Sequence, residues 1–221
     1  MKKNNKQELF CIELRNPYTM ILAGPTRSGK TTFVENVLKN AAQLYSKEPN
    51  NFFYFYNLEE PTHEELRKIV TEFIEGLPDK KWLKDVYEEY GENVTVIIDD
   101  QALNINKEIA ELFSVGSSRK QCNVIFITQN LFGKQKEARD ISINCNYVVL
   151  FKNPGDQVSA QMFFRRQGPG KAKILFEIYE DATQKPFSYL FIDMQQETHD
   201  MDRYLANIFS ENKEPPVLYR F

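Results

Sequence analysis

An α/β fold, with a mostly parallel central sheet flanked by helices, is what this chain of 221 residues predicts. Three observations lead there. Short apolar runs alternate with helically spaced segments almost from end to end, as strands and crossover helices do. Several runs, among them Met20-Ile21-Leu22-Ala23, Val94-Thr95-Val96-Ile97-Ile98 and Tyr147-Val148-Val149-Leu150-Phe151, are apolar nearly throughout, as strands buried on both faces are. The first of them runs straight into a glycine-flanked loop that opens a helix, Gly24 to Thr32. The length suits one domain over 1–221, with 1–16 as an N-terminal strand segment and 210–221 as a C-terminal tail.

In chain order, a half-exposed strand is expected around Leu9 to Leu14, ended by Asn16-Pro17, and the loop-bearing strand at Thr19 to Ala23 follows. Phe33, Val34, Val37, Leu38, Ala41 and Leu44 fall at helical spacing and predict one helix from Lys30 to Tyr45. The aromatic run Phe52 to Tyr56 reads as a buried strand. Two helices, Glu64 to Phe73 and Lys80 to Tyr90, are expected on either side of Gly76-Leu77-Pro78, the second fixed to the core by Trp82 and Val86. Next come a strand Val94 to Ile98, a helix Lys107 to Val115, a strand Asn123 to Thr128, a basic connector and a strand Tyr147 to Phe151. Beyond Gly155 the pattern gives helices to Arg166 and from Lys171 to Tyr179, a strand Phe187 to Ile192, and a closing helix Met201 to Phe209. The tail from Glu214 carries Val217, Leu218, Tyr219 and Phe221, and is either a packed end or a docking arm.

A hydrophobic share of 42% beside 27% charge is ordinary for a soluble domain. No segment approaches the roughly eighteen apolar residues of a membrane span, and the Lys- and Asn-rich start meets no apolar core of signal-peptide length. The expectation is an intracellular protein with no membrane partner. Cys11, Cys122 and Cys145 lack metal-ligand spacing and read as reduced, mostly buried thiols. A net charge of −3 argues against a protein that coats nucleic acid over its whole surface. It leaves room for a local basic channel, for which Arg119-Lys120, Lys134, Lys136, Arg139, Arg165-Arg166, Lys171 and Lys173 are the candidates. His63 and His199 have no partners at useful spacing and read as surface residues.

The loop Gly24-Pro25-Thr26-Arg27-Ser28-Gly29-Lys30-Thr31-Thr32 is built to cradle a triphosphate. Glycines let backbone N–H groups approach the phosphates closely. Lys30 would place its charge on the β and γ phosphates, Thr31 would offer a hydroxyl to Mg²⁺, and the helix start adds about half a positive charge. A second half of the site lies at Asp99-Asp100, where an apolar strand ends. Asp99 would hold Mg²⁺ through water and Asp100 would activate the attacking water. Only one predicted strand separates the two motifs in sequence, so the strand Val124-Ile125-Phe126-Ile127 can sit between them in space. That order is the additional-strand, catalytic-acidic class of P-loop NTPase. The middle strand ends in Thr128-Gln129-Asn130, and Gln129 is the candidate sensor of the γ-phosphate and its water.

These motifs, with Ser117-Ser118-Arg119-Lys120 leading into the sensor strand and Tyr147 to Pro154 after it, resemble the HerA–FtsK-type viral genome-packaging ATPases over Leu22 to Ile192. Within them, the virophage and Polinton-like branch is the most similar. The resemblance implies an ATP- and Mg²⁺-dependent motor that moves double-stranded DNA, without sequence preference, into a preformed capsid as a ring of identical subunits. It also implies that Arg119 reaches the neighbouring subunit's nucleotide. Many relatives outside the viral branch carry Asp-Glu where this chain has Asp99-Asp100. The residues alone leave open another ring ATPase such as a helicase or conjugation-type pump, a small-molecule kinase, or a nucleotide-gated capsid assembly factor.

Overall fold

The apolar runs become strands because their side chains find cover on both sides. In the computed structural model, residues 12–49, 51–91, 94–99, 122–130, 141, 143–209 and 215–221 are described. Among them β1 (Thr19–Ala23), β2 (Asn51–Tyr56), β3 (Glu72–Glu75), β4 (Val94–Asp99), β5 (Asn123–Thr128), β6 (Tyr147–Phe151), β7 (Tyr189–Asp193), β8 (Tyr204–Ala206) and β9 (Val217–Tyr219) form one sheet. Its order is β3-β2-β4-β5-β1-β6-β7-β8-β9. Pairing is parallel from β3 to β6 and antiparallel from β6 to β9. The predicted fold class is the one found.

Successive side chains leave a strand on opposite faces, and two cores result. Ile21, Val96, Val124 and Val148 face α4 (Lys80–Tyr90), α5 (Gln157–Gln167) and α6 (Ala172–Ala182). Met20, Leu22, Ile97, Ile125 and Val149 face α1 (Lys30–Lys39), α2 (Ala41–Leu44) and α3 (His63–Leu66). Trp82 fixes α4 as expected, its ring edge-on to Phe53 and Phe55 at 5.1 and 4.7 Å. Asn123, fully buried, accepts a bond from the Tyr18 N–H and donates to Thr95 Oγ1, tying the starts of β1, β5 and β4 together. Asp79 and Asp156 cap α4 and α5 by accepting from the Trp82 and Ser159 N–H groups. Cys122 and Cys145 are buried thiols, and burial pushes Cys145 up to about 12. No helix among the described residues is long and apolar enough to cross a membrane.

Four expectations are corrected. The helix expected over Glu64 to Phe73 is instead the four-residue α3 followed by β3. Phe73 packs into one core and Ile74 into the other, the period-two behaviour of a strand, favoured by the β-branched Val70 and Thr71 before them. The closing helix over Met201 to Phe209 is instead a 3-10 turn, Asp200–Asp202, and then β8. Tyr204 and Ala206 enter one core while Leu205 enters the other. The strand expected to Leu14 is reduced, among described residues, to one bridge between Leu14 and Tyr45. The long helix from Lys30 breaks at Asn40, whose side chain donates to the Asn36 carbonyl. The tail is a packed end: β9 pairs with β8, and the Tyr219 hydroxyl donates to Asp181 at 2.7 Å. Cys11, the helix Lys107 to Val115 and the basic connector with Lys134, Lys136 and Arg139 lie outside the described residues.

Candidate active site

The parallel strands β1, β4 and β5 all end at one edge of the sheet, and the loops leaving them meet there. Register pairs Ala23 with Thr128 and Asp99 with Ile127, so β5 sits between the strand of the phosphate loop and the strand of Asp99. This is the spatial order expected, although two strands, β2 and β3, and not one separate the two motifs in sequence. A cavity of about 860 Å³ opens at this edge, and its lining includes Lys30, Thr31, Asp99 and Gln129. Four residues proposed from sequence are therefore brought to one space large enough for a nucleotide. Asp100 and Arg119 lie outside the described residues.

The loop owes its shape to its glycines. Gly29 has φ 103°, the left-handed region, and it is the residue from which α1 starts. No side chain caps the first turn of α1 and no acidic residue occupies it, so no carboxylate of its own competes with an anion at this helix start. A Cβ on Gly24 would stand 2.6 Å from Phe151 Cβ and 2.9 Å from Ser28 Oγ. Gly24→Ala must therefore push the buried Phe151 aside, and we expect a loss of about 1–3 kcal/mol of stability. Urea unfolding reads this directly, and an unchanged midpoint would contradict the tight packing of β1 on β6. Arg27 also has a positive φ, 62°, an unusual conformation for a side-chain-bearing residue and one found at ligand loops. Lys30 Nζ donates to the Gly24 and Pro25 carbonyls, each at 2.8 Å, which holds its charge over the loop.

Thr31 and Asp99 offer a hydroxyl and a carboxylate, hard oxygen ligands that fit Mg²⁺ shared with substrate phosphates. Among the described residues no group of three or more His, Cys, Asp or Glu could hold a metal by itself. Asp99 is only 9% exposed, at the very end of β4.

The Asp99 neighbourhood corrects one reading outright. His63 is not a surface residue: it is 2% exposed, and its Nε2 lies 3.5 Å from Asp99 Oδ2. The Tyr54 hydroxyl donates to the same oxygen. Burial, and then the Asp99 charge, push the Tyr54 phenol well above its ordinary range, so it stays a donor. Glu60 and Thr62, just before His63, line the cavity. Sequence reasoning missed this group because α3 is one turn long. The available signal was His63 and Leu66 at i, i+3, both of which are buried. His199 is exposed, as expected.

The opposite wall comes from the C-terminal strands. Phe187, with φ 64°, leaves the helix-to-strand turn and lies over Gly29, its Cβ 3.4 Å from where a Cβ would be. That left-handed backbone is why β7 begins at Tyr189 and not at Phe187. Phe33 stands edge-on to Tyr189 and Phe209 at 4.8 and 5.1 Å, and all three line the cavity. The cavity is thus polar at the loop and aromatic at the far wall. Among the flagged cations, Lys171 lies 3.8 Å from Asp200 and Lys173 lies 3.9 Å from Glu177, so these two are partly neutralised.

No protein-family model and no curated protein matches the chain. Solved structures do. The genome-packaging NTPase B204 of Sulfolobus turreted icosahedral virus 2, in complex with AMP, is 12% identical with a TM-score of 0.52. In complex with ATP-gammaS it is 14% identical with a TM-score of 0.51. In both cases the match covers 82% of this chain and 94% of that one. The cytoplasmic domain of the Thermomonospora curvata type VII secretion ATPase EccC is 14% identical with a TM-score of 0.50, covering 91% of this chain and 25% of that one. The chain shares its fold with these NTPases.

Proposed function

We propose that the chain is an ATP-driven motor that packages double-stranded viral DNA into a capsid, hydrolysing ATP at sites completed by a neighbouring subunit of a ring. The observation that carries the reading is the convergence of Lys30, Thr31, Asp99 and Gln129 on one cavity beneath the strand order β4-β5-β1. The B204 fold likeness supports the same reading. The virophage and Polinton-like placement and the capsid and DNA partners rest on the sequence resemblance, and an intracellular site of action rests on the cysteine pattern and the N-terminal composition.

In this reading the triphosphate lies along the uncapped start of α1, and the base lies toward Phe187 and Phe209. Lys30 holds the β and γ phosphates, Gln129 orients the attacking water and Asp100 takes its proton. Thr31 and, through water, Asp99 would hold Mg²⁺, which would neutralise charge on the triphosphate.

Arg119 would act on the neighbouring subunit's nucleotide. An arginine in that role is worth about 10³ to 10⁵ in rate. Arg119→Ala should retain nucleotide affinity and assembly while losing nearly all turnover, measured by steady-state hydrolysis on the assembled ring. Normal turnover in the assembled variant would refute the intersubunit site. The EccC likeness favours a second reading, a ring motor that moves a polypeptide, and stimulation of hydrolysis by duplex DNA separates the two.

A further inference from the structure

The buried imidazole of His63 joins two walls of the cavity. Its Nδ1 accepts a bond from the Glu60 N–H at 3.1 Å. An Nδ1 that accepts carries no proton, so in the neutral ring the proton sits on Nε2. That Nε2 is buried, has no hydrogen-bond partner among the described residues, and stands 3.5 Å from Asp99 Oδ2, close enough for electrostatic attraction and too long for a good hydrogen bond. The ring cannot turn easily, being packed against Tyr54, Tyr56 and Phe73 at centroid distances of 5.5, 5.9 and 5.1 Å. Arg67 covers Phe73 from outside at 4.2 Å and pairs with Glu59 at 2.8 Å.

Two donors thus face one oxygen of Asp99. Both contacts recorded among the described residues fall on Oδ2, from the Tyr54 hydroxyl on β2 and from His63 on α3. A carboxylate that must hold a hydrated cation gains from having its orientation fixed by such partners. Through Nδ1 the same ring fixes the backbone of Glu60, whose neighbour Thr62 also lines the cavity.

We propose that His63 is a positioning residue: its Nε2–H orients the Asp99 carboxylate for the cation side of the site, while its Nδ1, accepting from the Glu60 N–H, fixes the ring's tautomer. The inference rests on the proposed nucleotide site, and its test separates the two.

The chain has two histidines, so a His199→Gln background leaves one imidazole to observe. In the neutral ring, nitrogen NMR of that protein should place the proton on Nε2. A proton on Nδ1 in the neutral ring would overturn the proposal before any activity is measured. His63→Phe keeps the aromatic packing and removes both nitrogens, whereas His63→Gln restores an N–H at similar reach. With a fluorescent ATP analogue, His63→Phe should lose about tenfold or more of the affinity gained on adding Mg²⁺. Its affinity in EDTA should stay that of the parent protein, and His63→Gln should recover part of the loss. Equal effects of Phe and Gln, or a loss that persists in EDTA, would overturn it. A parent protein that binds the analogue with no Mg²⁺ enhancement would sink the nucleotide-site reading itself, whatever the tautomer.

Discussion

Replacing Lys30 with alanine should lower ATP hydrolysis by about 10²- to 10³-fold, the usual cost of removing one preorganised donor from a site of developing charge. Lys30 is half-buried at the start of α1, with its ammonium already held over the loop by the Gly24 and Pro25 carbonyls. A charge so placed needs little reorganisation to meet a phosphate, whereas a flexible surface lysine would have to be ordered first. Folding should be spared, because β1 and α1 are held by the buried Leu22, Phe33, Val34 and Val37. Thermal unfolding of Lys30→Ala should therefore resemble that of the parent protein, while turnover and affinity for a fluorescent nucleotide both fall. Turnover at the parent rate would remove Lys30 from the site.

Asp99→Asn should act through the cation. The amide keeps the size of the side chain and an acceptor for the Tyr54 hydroxyl, so stability should move by no more than about 1 kcal/mol. What is lost is a negative charge in the cavity that Thr31 also lines. We expect hydrolysis to fall by about 10²-fold and the Mg²⁺ concentration for half-maximal rate to rise by about tenfold or more. Titrating Mg²⁺ at fixed nucleotide measures both quantities. A variant whose rate falls with no change in Mg²⁺ requirement would move Asp99 out of the cation shell and leave it a purely structural carboxylate beneath Tyr54.

What could be read from sequence was what depends on local pattern. Strands such as Val94–Asp99 and Tyr147–Phe151 are legible because their side chains are apolar nearly throughout, as burial on both faces requires. The loop at Gly24 to Thr31 is legible because phosphate binding fixes both residue type and spacing. Its convergence with Asp99 and Gln129 followed from assuming that β5 enters between β1 and β4, which the register bears out.

The sequence misled where short elements are decided by tertiary contacts. Glu72–Glu75 has charged ends and sits at the edge of the sheet, so its two inward residues, Phe73 and Ile74, are too few to distinguish a strand from a helix. Tyr204–Ala206 pairs between β7 and β9, partners remote or weakly patterned in sequence. His63 was read as exposed because a lone histidine in a charged stretch gives no sign of its cover. The aromatic residues that bury it, Tyr54, Tyr56 and Phe73, come from two other strands. Phe187 and Phe209 reach the cavity only because the antiparallel strands fold back beside β6.

Movement of duplex DNA by the purified protein is the most direct test of the motor reading, run with the parent chain beside Lys30→Ala and Asp100→Asn. The parent protein should displace duplex DNA directionally and only with ATP, and neither variant should displace it. A parent protein that turns over ATP without moving DNA, or variants that move it as the parent does, would contradict the motor reading.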